Sequence, residues 1–175
     1  ALSNGSLDVK PLITERISLE NYKEIYGDMG SSKSIASILV YDNTEAPVKT
    51  VSVTNKSFTG QKGVIGIIGA GNFTGATLMP QLEKLNANVK YIASSGGLSS
   101  TTMAKKHGIA NSTTDYQEIL KDEDTDLVII TTKHNSHAKF VIETLKAGKS
   151  VFVEKPLALN EIELAEITEV YNESN

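Results

Sequence analysis

Cysteine is absent from the chain, which excludes a disulfide framework and any thiolate metal site. A reducing, cytoplasmic setting fits that absence. No apolar run approaches the ~18–20 residues of a membrane-spanning helix, and no charged-then-apolar leader opens the sequence. A membrane partner is therefore not expected. Basic residues are outnumbered, 17 lysines and arginines against 21 aspartates and glutamates, and no basic stripe of the kind that tracks nucleic acid stands out. Methionine is missing before Met29, within a segment that reads as helix, and no strand follows the last amphipathic stretch. The sequence thus reads as a piece of a longer polypeptide. What is present is an ordinary globular composition, 39% hydrophobic and 22% charged, on a length that allows one domain or one domain with an attached fragment.

Two unlike regions meet near Thr59-Gly60-Gln61-Lys62-Gly63, giving expected units of 1–60 and 61–175. Upstream, Val9–Ile13 reads as short, extended and apolar. Ser18 looks like the N-cap of a helix from Leu19, with Tyr22, Ile25 and Tyr26 on one face and Gly27 and Gly30 around its end. Ile35–Tyr41 reads as a strand, Asp42-Asn43-Thr44 as a turn, Val48–Val53 as a further strand and Thr54–Gly60 as polar linker. This α+β segment is too small for a convincing core. Its strand edges predict that it pairs with another chain, as in a homo-oligomer, or lies against the second unit.

Downstream the pattern becomes regular. Apolar strands at Val64–Ile68, Val89–Ala93, Asp126–Ile130 and Ser150–Val153 alternate with helices. These end near Leu85, cover Thr101–His107, Tyr116–Leu120 and Ser136–Ala147, and begin again at Glu161. Strands apolar at nearly every position, separated by amphipathic helices, are what a parallel sheet covered on both faces requires. The expected fold is α/β: a Rossmann-type, doubly wound parallel sheet.

Chemistry is expected where strands end. Gly69-Ala70-Gly71-Asn72-Phe73-Thr74-Gly75 follows a strand and opens a helix, the context that a pyrophosphate-binding turn requires. Gly69 permits the tight turn, and Gly71 lets phosphates reach backbone N–H groups at a helix N-terminus. The third glycine position holds Thr74, with Gly75 one residue later. After the next strand, where an acidic residue often takes the ribose hydroxyls of NAD, stand Ser94 and Ser95. Their hydroxyls suit a ribose or a 2′-phosphate weakly, and a plain solvent turn serves equally, so NAD and NADP both stay open. Lys105 and Lys106 read more readily as a solvated helix face than as a phosphate clamp.

Thr131-Thr132-Lys133-His134-Asn135-Ser136-His137 follows the strongest strand and should border the same cleft. Asn135 or Ser136 is suited to cap the next helix. His134 and His137 lack a third ligand nearby, so capping or substrate contact is preferred over metal binding. At the end of the last strand, Glu154-Lys155-Pro156 offers an ammonium that can polarise a substrate hydroxyl or relay a proton, with Pro156 restricting the backbone of Lys155.

Together the glycine loop, the Asp126–His137 strand and loop, and Ala147-Gly148-Lys149-Ser150-Val151-Phe152-Val153-Glu154-Lys155-Pro156-Leu157 resemble the Gfo/Idh/MocA oxidoreductases from about Gly63 onward. The resemblance implies NAD(P) on Gly69, Gly71, Asn72 and Phe73, and Thr131, His134, Asn135 and His137 on the nicotinamide side. It also implies a catalytic role for Lys155, a sugar or polyol substrate, and a second, mostly antiparallel domain. Separately, Leu7–Arg16 with Ser18-Leu19-Glu20 resembles the last catalytic-domain segment of zinc-dependent medium-chain alcohol dehydrogenases, with Glu15 where those often carry His. A dinucleotide-binding sensor or scaffold without turnover is the alternative function. An S-adenosylmethionine enzyme shares the glycine turn, but the Glu-Lys-Pro strand end speaks against it.

Overall fold

A computed structural model describes residues 5–27, 34–41 and 48–174, with residues 24–26 described by backbone alone. The chain forms two compact units, divided between Pro47 and Val48. The first contains β1 (Ile13–Ser18), α1 (Tyr22–Gly27) and β2 (Ala36–Val40), the two strands pairing in parallel. Pro11 sits in the first turn of a short 3-10 segment, Lys10–Leu12, so the extended run begins at Ile13 and not at Val9. Ser18 makes no side-chain cap; a 3-10 turn, Leu19–Asn21, leads into α1 instead. The expected turn at Asp42-Asn43-Thr44, Gly30 at the helix end, and the side chains of Ile25 and Tyr26 lie outside the described residues.

The expected boundary at residue 60 is corrected by the residues just before it. Thr50–Ser52 forms β3, which pairs antiparallel with Asn111–Thr113 at the edge of the second unit's sheet. Thr54–Gly60 is not merely polar linker, because Phe58 is buried against Val64 and Ala110. A three-residue strand and one anchoring aromatic are enough to assign 48–60 to the second unit.

That unit is built on β3, β4 (Val64–Ile68), β5 (Asn88–Ala93), β6 (Asn111–Thr113), β7 (Leu127–Ile130) and β8 (Ser150–Val153), in the order β3-β6-β5-β4-β7-β8. Every pairing except that of β3 is parallel. Alternate residues of β4 and β7 serve opposite faces. Ile65, Ile67 and Ile129 pack with Met79 and Leu82 of α2 (Met79–Lys84) and Ala104 of α3 (Leu98–His107). Ile68, Val128 and Ile130 pack with Ile119 of α4 (Gln117–Lys121), Val141 of α5 (His137–Lys146) and Ile167 of α6 (Glu161–Ser174). Each fully buried isoleucine contributes about 1.5–3 kcal/mol. Gly66 lets α4 lie close, since a Cβ there would collide with Cγ2 of Ile119.

The chain runs outward from β4 to β5 and β6, then crosses back to β7 and β8. The strand order therefore reverses at β4, and a crevice opens at the carboxyl ends of β4 and β7, where open α/β sheets bind ligands. Among the described residues, no helix is long and apolar enough to cross a membrane.

Candidate functional site

The glycine turn is shaped by contacts that only glycine allows. Gly69 has φ of +119°, and a Cβ on it would stand 2.6 Å from Oγ1 of Thr131 and 2.8 Å from that residue's carbonyl carbon. Two hydroxyls converge on the Gly69 carbonyl, those of Thr74 at 2.9 Å and Thr131 at 3.1 Å, and lie 2.7 Å from one another. Gly71 is the opposite case: nothing lies within 4 Å of where its Cβ would be. Its freedom from a side chain is not used by the protein, and it leaves backbone bare toward open space. Just beyond, Thr74–Leu78 widens into a π-helical segment. Pro80 has no N–H for the carbonyl of Ala76, and its ring crowds that carbonyl, so the turn loosens.

The open space is a cavity of about 820 Å³ at the reversal point, reached by Gly69, Gly71, Ser94, Ser95, Thr131 and Asn135. Six of the residues singled out in the sequence are thus brought together. Asn72 lines an adjoining cavity of about 490 Å³, which shares Ala70, Gly71 and Ser99 with the first. Phe73 is two-fifths exposed at the helix start and lines neither. Glu154 and Lys155 follow β8 outside the lining of both cavities; Lys155 is exposed, and its bond to Pro156 is cis. His134 is exposed, its ring 5.6 Å from that of His137.

His137 lines neither cavity. It is fully buried, with Nδ1 2.8 Å from the carbonyl oxygen of Pro156 and Nε2 3.0 Å from that of Thr132. Each nitrogen thus faces a carbonyl oxygen on a loop that follows β7 or β8, and the ring N–H donates to one of the two. The capping expected of Ser136 is likewise replaced: its hydroxyl bonds Thr132 Oγ1 at 2.8 Å and the Lys133 carbonyl at 2.7 Å, within the turn and not onto α5.

Several lining residues carry no signal in the sequence. Tyr116 and Phe140 form an edge-to-face pair, centroids 4.7 Å apart, on one wall of the larger cavity. Tyr116 donates to Glu143 at 2.8 Å, and Nζ of Lys139 lies 5.5 Å from the Tyr116 ring. Contact with Tyr116 and then the charge of Glu143 raise the pKa of Lys139 above its ordinary value. At the neighbouring rim the carboxyl of Asp115 is held below its usual range, first by the Lys49 ammonium 3.0 Å away and then by the N–H of Gln117. Thr114, Lys133 and Ser99 also reach the cavity. These residues come from separate elements, and their meeting depends on strand order.

The geometry agrees with what known proteins of this kind are. Residues 64–175 match the family model described as an oxidoreductase family with an NAD-binding Rossmann fold, Gfo/Idh/MocA. Over 106 residues the chain is 34% identical to trans-1,2-dihydrobenzene-1,2-diol dehydrogenase of Bos taurus, covering 58% of this chain and 31% of that protein. Over 99 residues it is 33% identical to inositol 2-dehydrogenase/D-chiro-inositol 3-dehydrogenase of Lactiplantibacillus plantarum, covering 55% and 28%. Among solved structures, a 3-ketoreductase of Actinomadura kijaniata in complex with NADP and TDP-benzene superposes with a TM-score of 0.57 at 25% identity, covering 63% of this chain and 34% of that one. Levoglucosan dehydrogenase in complex with NADH and levoglucosan gives 0.56 at 28% identity, covering 63% and 32%. The chain spans about a third of the length of the relatives it matches. With a glycine turn at the strand reversal of a parallel sheet, and a family match over most of its length, the chain belongs through residues 64–175 to the Gfo/Idh/MocA oxidoreductases.

Proposed function

We propose that this chain is the dinucleotide-binding half of an NAD(P)-dependent oxidoreductase acting on a CH–OH group, or the matching ketone, of a sugar- or polyol-like substrate. The observation that carries the reading is bare backbone at Gly71 beside a cavity at the strand reversal. A pyrophosphate needs that arrangement, because a Cβ would keep its oxygens from the N–H groups that open the helix. Gly69, Gly71, Asn72 and Phe73 form the phosphate-binding turn, Ser94 and Ser95 the ribose end, and Thr131, His134, Asn135 and Glu154 the nicotinamide side. The bound cofactor supplies hydride chemistry. Lys155 holds the proton on the substrate oxygen, and His137 ties together the two loops that carry this end of the site. The sugar or polyol class is supported by relatives named for inositol and levoglucosan.

The first unit is assigned to an alcohol-dehydrogenase-like module ahead of this domain, on its residues 7–20. A two-stranded sheet is marginal by itself, and exposed Ile35 and Val40 support its belonging to a larger one.

In the full-length protein, Lys155→Ala should lower kcat on the true substrate ~100-fold or more while cofactor affinity stays within about threefold, as for loss of a general acid–base group. Unchanged turnover would sink the role of Lys155. Cofactor binding without turnover on any polyol, in the intact wild type, would favour the sensor.

A further inference from the structure

One wall of the larger cavity is held in place by a strand that lies outside the oxidoreductase span. β3 precedes residues 64–175, yet it is the outermost strand of the same sheet, beside β6. The loop from β6 to α4 gives Thr114 and Tyr116 to the cavity lining. Three contacts from the β3 side grip that loop. The Thr114 N–H donates to the Lys49 carbonyl at 2.8 Å. The Thr50 hydroxyl donates to Thr113 Oγ1 at 2.8 Å, and that oxygen accepts the Asp115 N–H at 3.0 Å. The Lys49 ammonium lies 3.0 Å from Oδ2 of Asp115, whose Oδ1 accepts the N–H of Gln117, the first residue of α4, at 3.1 Å. From the other side the Ser94 N–H donates to the Thr113 carbonyl at 3.1 Å.

The ion pair is the weaker part of this grip, because the Lys49 side chain is 65% exposed and water screens such a pair. The backbone ladder is the stronger part. Hydrogen-bonded pairs alternate along an antiparallel ladder. Thr114 bonds Lys49, and the Val53 N–H donates to Ala110 at 2.7 Å, which makes Val51, opposite Ser112, the bonded pair between them. So short a ladder at a sheet edge opens locally, well below global unfolding. Each opening also releases the Thr114–Tyr116 wall. A ligand that needs the wall closed then binds in proportion to the closed fraction.

We propose, resting on the dinucleotide site of the proposed function, that β3 is a strap that sets the cofactor affinity of this cavity from outside the oxidoreductase span, with Lys49 and Thr50 as positioning residues for Thr114 and Tyr116. Coupling of this kind is reciprocal, so bound cofactor slows the opening of β3.

The test combines calorimetric titration of the 175-residue chain with NADH and NADPH and amide hydrogen exchange. Val51→Pro deletes a ladder N–H and should weaken both cofactors ~10-fold or more. Val51→Ala trims the same exposed side chain, keeps that N–H, and should bind within about twofold of wild type. Lys49→Gln should weaken both cofactors about two- to fivefold, the scale of one exposed ion pair, and Lys49→Arg should restore them. In the wild type, saturating NADH should slow exchange of the Val53 N–H at least ~5-fold under native conditions. Full affinity in a folded Val51→Pro, or Val53 exchange unchanged by bound cofactor, overturns the strap and leaves the dinucleotide site standing. If Val51→Pro does not fold, Lys49→Gln and the Val53 exchange decide. A wild type that binds neither cofactor removes the dinucleotide site and the strap together.

Discussion

Two glycines of one turn should fail in opposite ways when given a side chain. A methyl group at Gly69 meets Thr131 Oγ1 at 2.6 Å and Thr131 backbone at 2.8 and 2.9 Å, with φ at +119°. Backbone cannot swing aside as a side-chain tip can, so β4 and β7 must separate at the end where Thr131 N–H donates to Ile68 at 2.9 Å. Overpacking of this kind costs about 1–3 kcal/mol, and the left-handed backbone a further ~1–2 kcal/mol. Gly69→Ala should therefore lose roughly 2–5 kcal/mol of unfolding free energy in urea, with the midpoint falling and the slope kept. A side chain at Gly71 meets nothing, so Gly71→Leu should stay within about 0.5 kcal/mol of wild type. Its branched end would occupy the pyrophosphate's place, and NADH and NADPH affinity should both drop ~100-fold or more, equivalent to about 2.7 kcal/mol. Urea unfolding and calorimetric titration on the same three proteins separate the effects. Wild-type affinity in Gly71→Leu would refute the cradle, and wild-type stability in Gly69→Ala would refute the close approach.

Two other outcomes concern groups away from the glycine turn. His137→Ala removes the buried ring that stands between the carbonyls of Pro156 and Thr132, so thermal melting should show a loss of about 1–3 kcal/mol for the one carbonyl that loses its N–H donor. An unchanged melting temperature would mean that the two loops do not depend on the ring. At the other end of the sheet, Nζ of Lys90 lies 2.5 Å from Asp122 and 2.8 Å from Asp124. Burial opposes its charge, but the two carboxylates prevail and raise its pKa above the ordinary 10.5; burial and then the charge of Asp122 likewise raise Tyr91 above 10.0. Both groups bind their protons more tightly folded than unfolded, so their contribution is complete below the unfolded values and is lost as pH rises through the folded ones. Unfolding free energy from urea titrations should thus be level up to about pH 10 and fall above it. Lys90→Met should be less stable at pH 8 and lose less on going higher; an equally steep alkaline decline in that variant would rule the cluster out as its source.

The parallel strands are legible because a strand covered on both faces must be apolar at nearly every position, as Val64–Ile68 and Leu127–Ile130 are. β6 has no such signature. Ser112 and Thr113 are buried, but their hydroxyls are satisfied sideways by Ser100, Thr101, Thr50 and the Asp115 N–H, so burial there leaves no hydrophobic period to read. β3 itself falls within the strand expected at Val48–Val53, but its place in the sheet is hidden. Its three residues are recruited by the polar edge of β6, a partner some sixty residues away, and a pairing at that range cannot be inferred from local pattern. Tyr116 and Phe140 read as ordinary helix residues, and only the strand order sets them on one wall.

The departure at the third glycine position shows how a motif can miss its letter and keep its physics. That position serves close packing of the first helix, and a threonine there suggests a weakened loop. In the structure the task is divided between two residues. Thr74 is fully buried, and its hydroxyl reaches back to the Gly69 carbonyl, fixing the turn from inside. Gly75 supplies the close approach, since a Cβ there would stand 3.1 Å from Cε of Met103 on α3. The π-helical widening over Thr74–Leu78 shifts the helical phase just where the glycine is displaced by one residue. A spacing rule written for a regular α-helical turn therefore fails at Thr74, although the bare backbone it is meant to detect is present at Gly71.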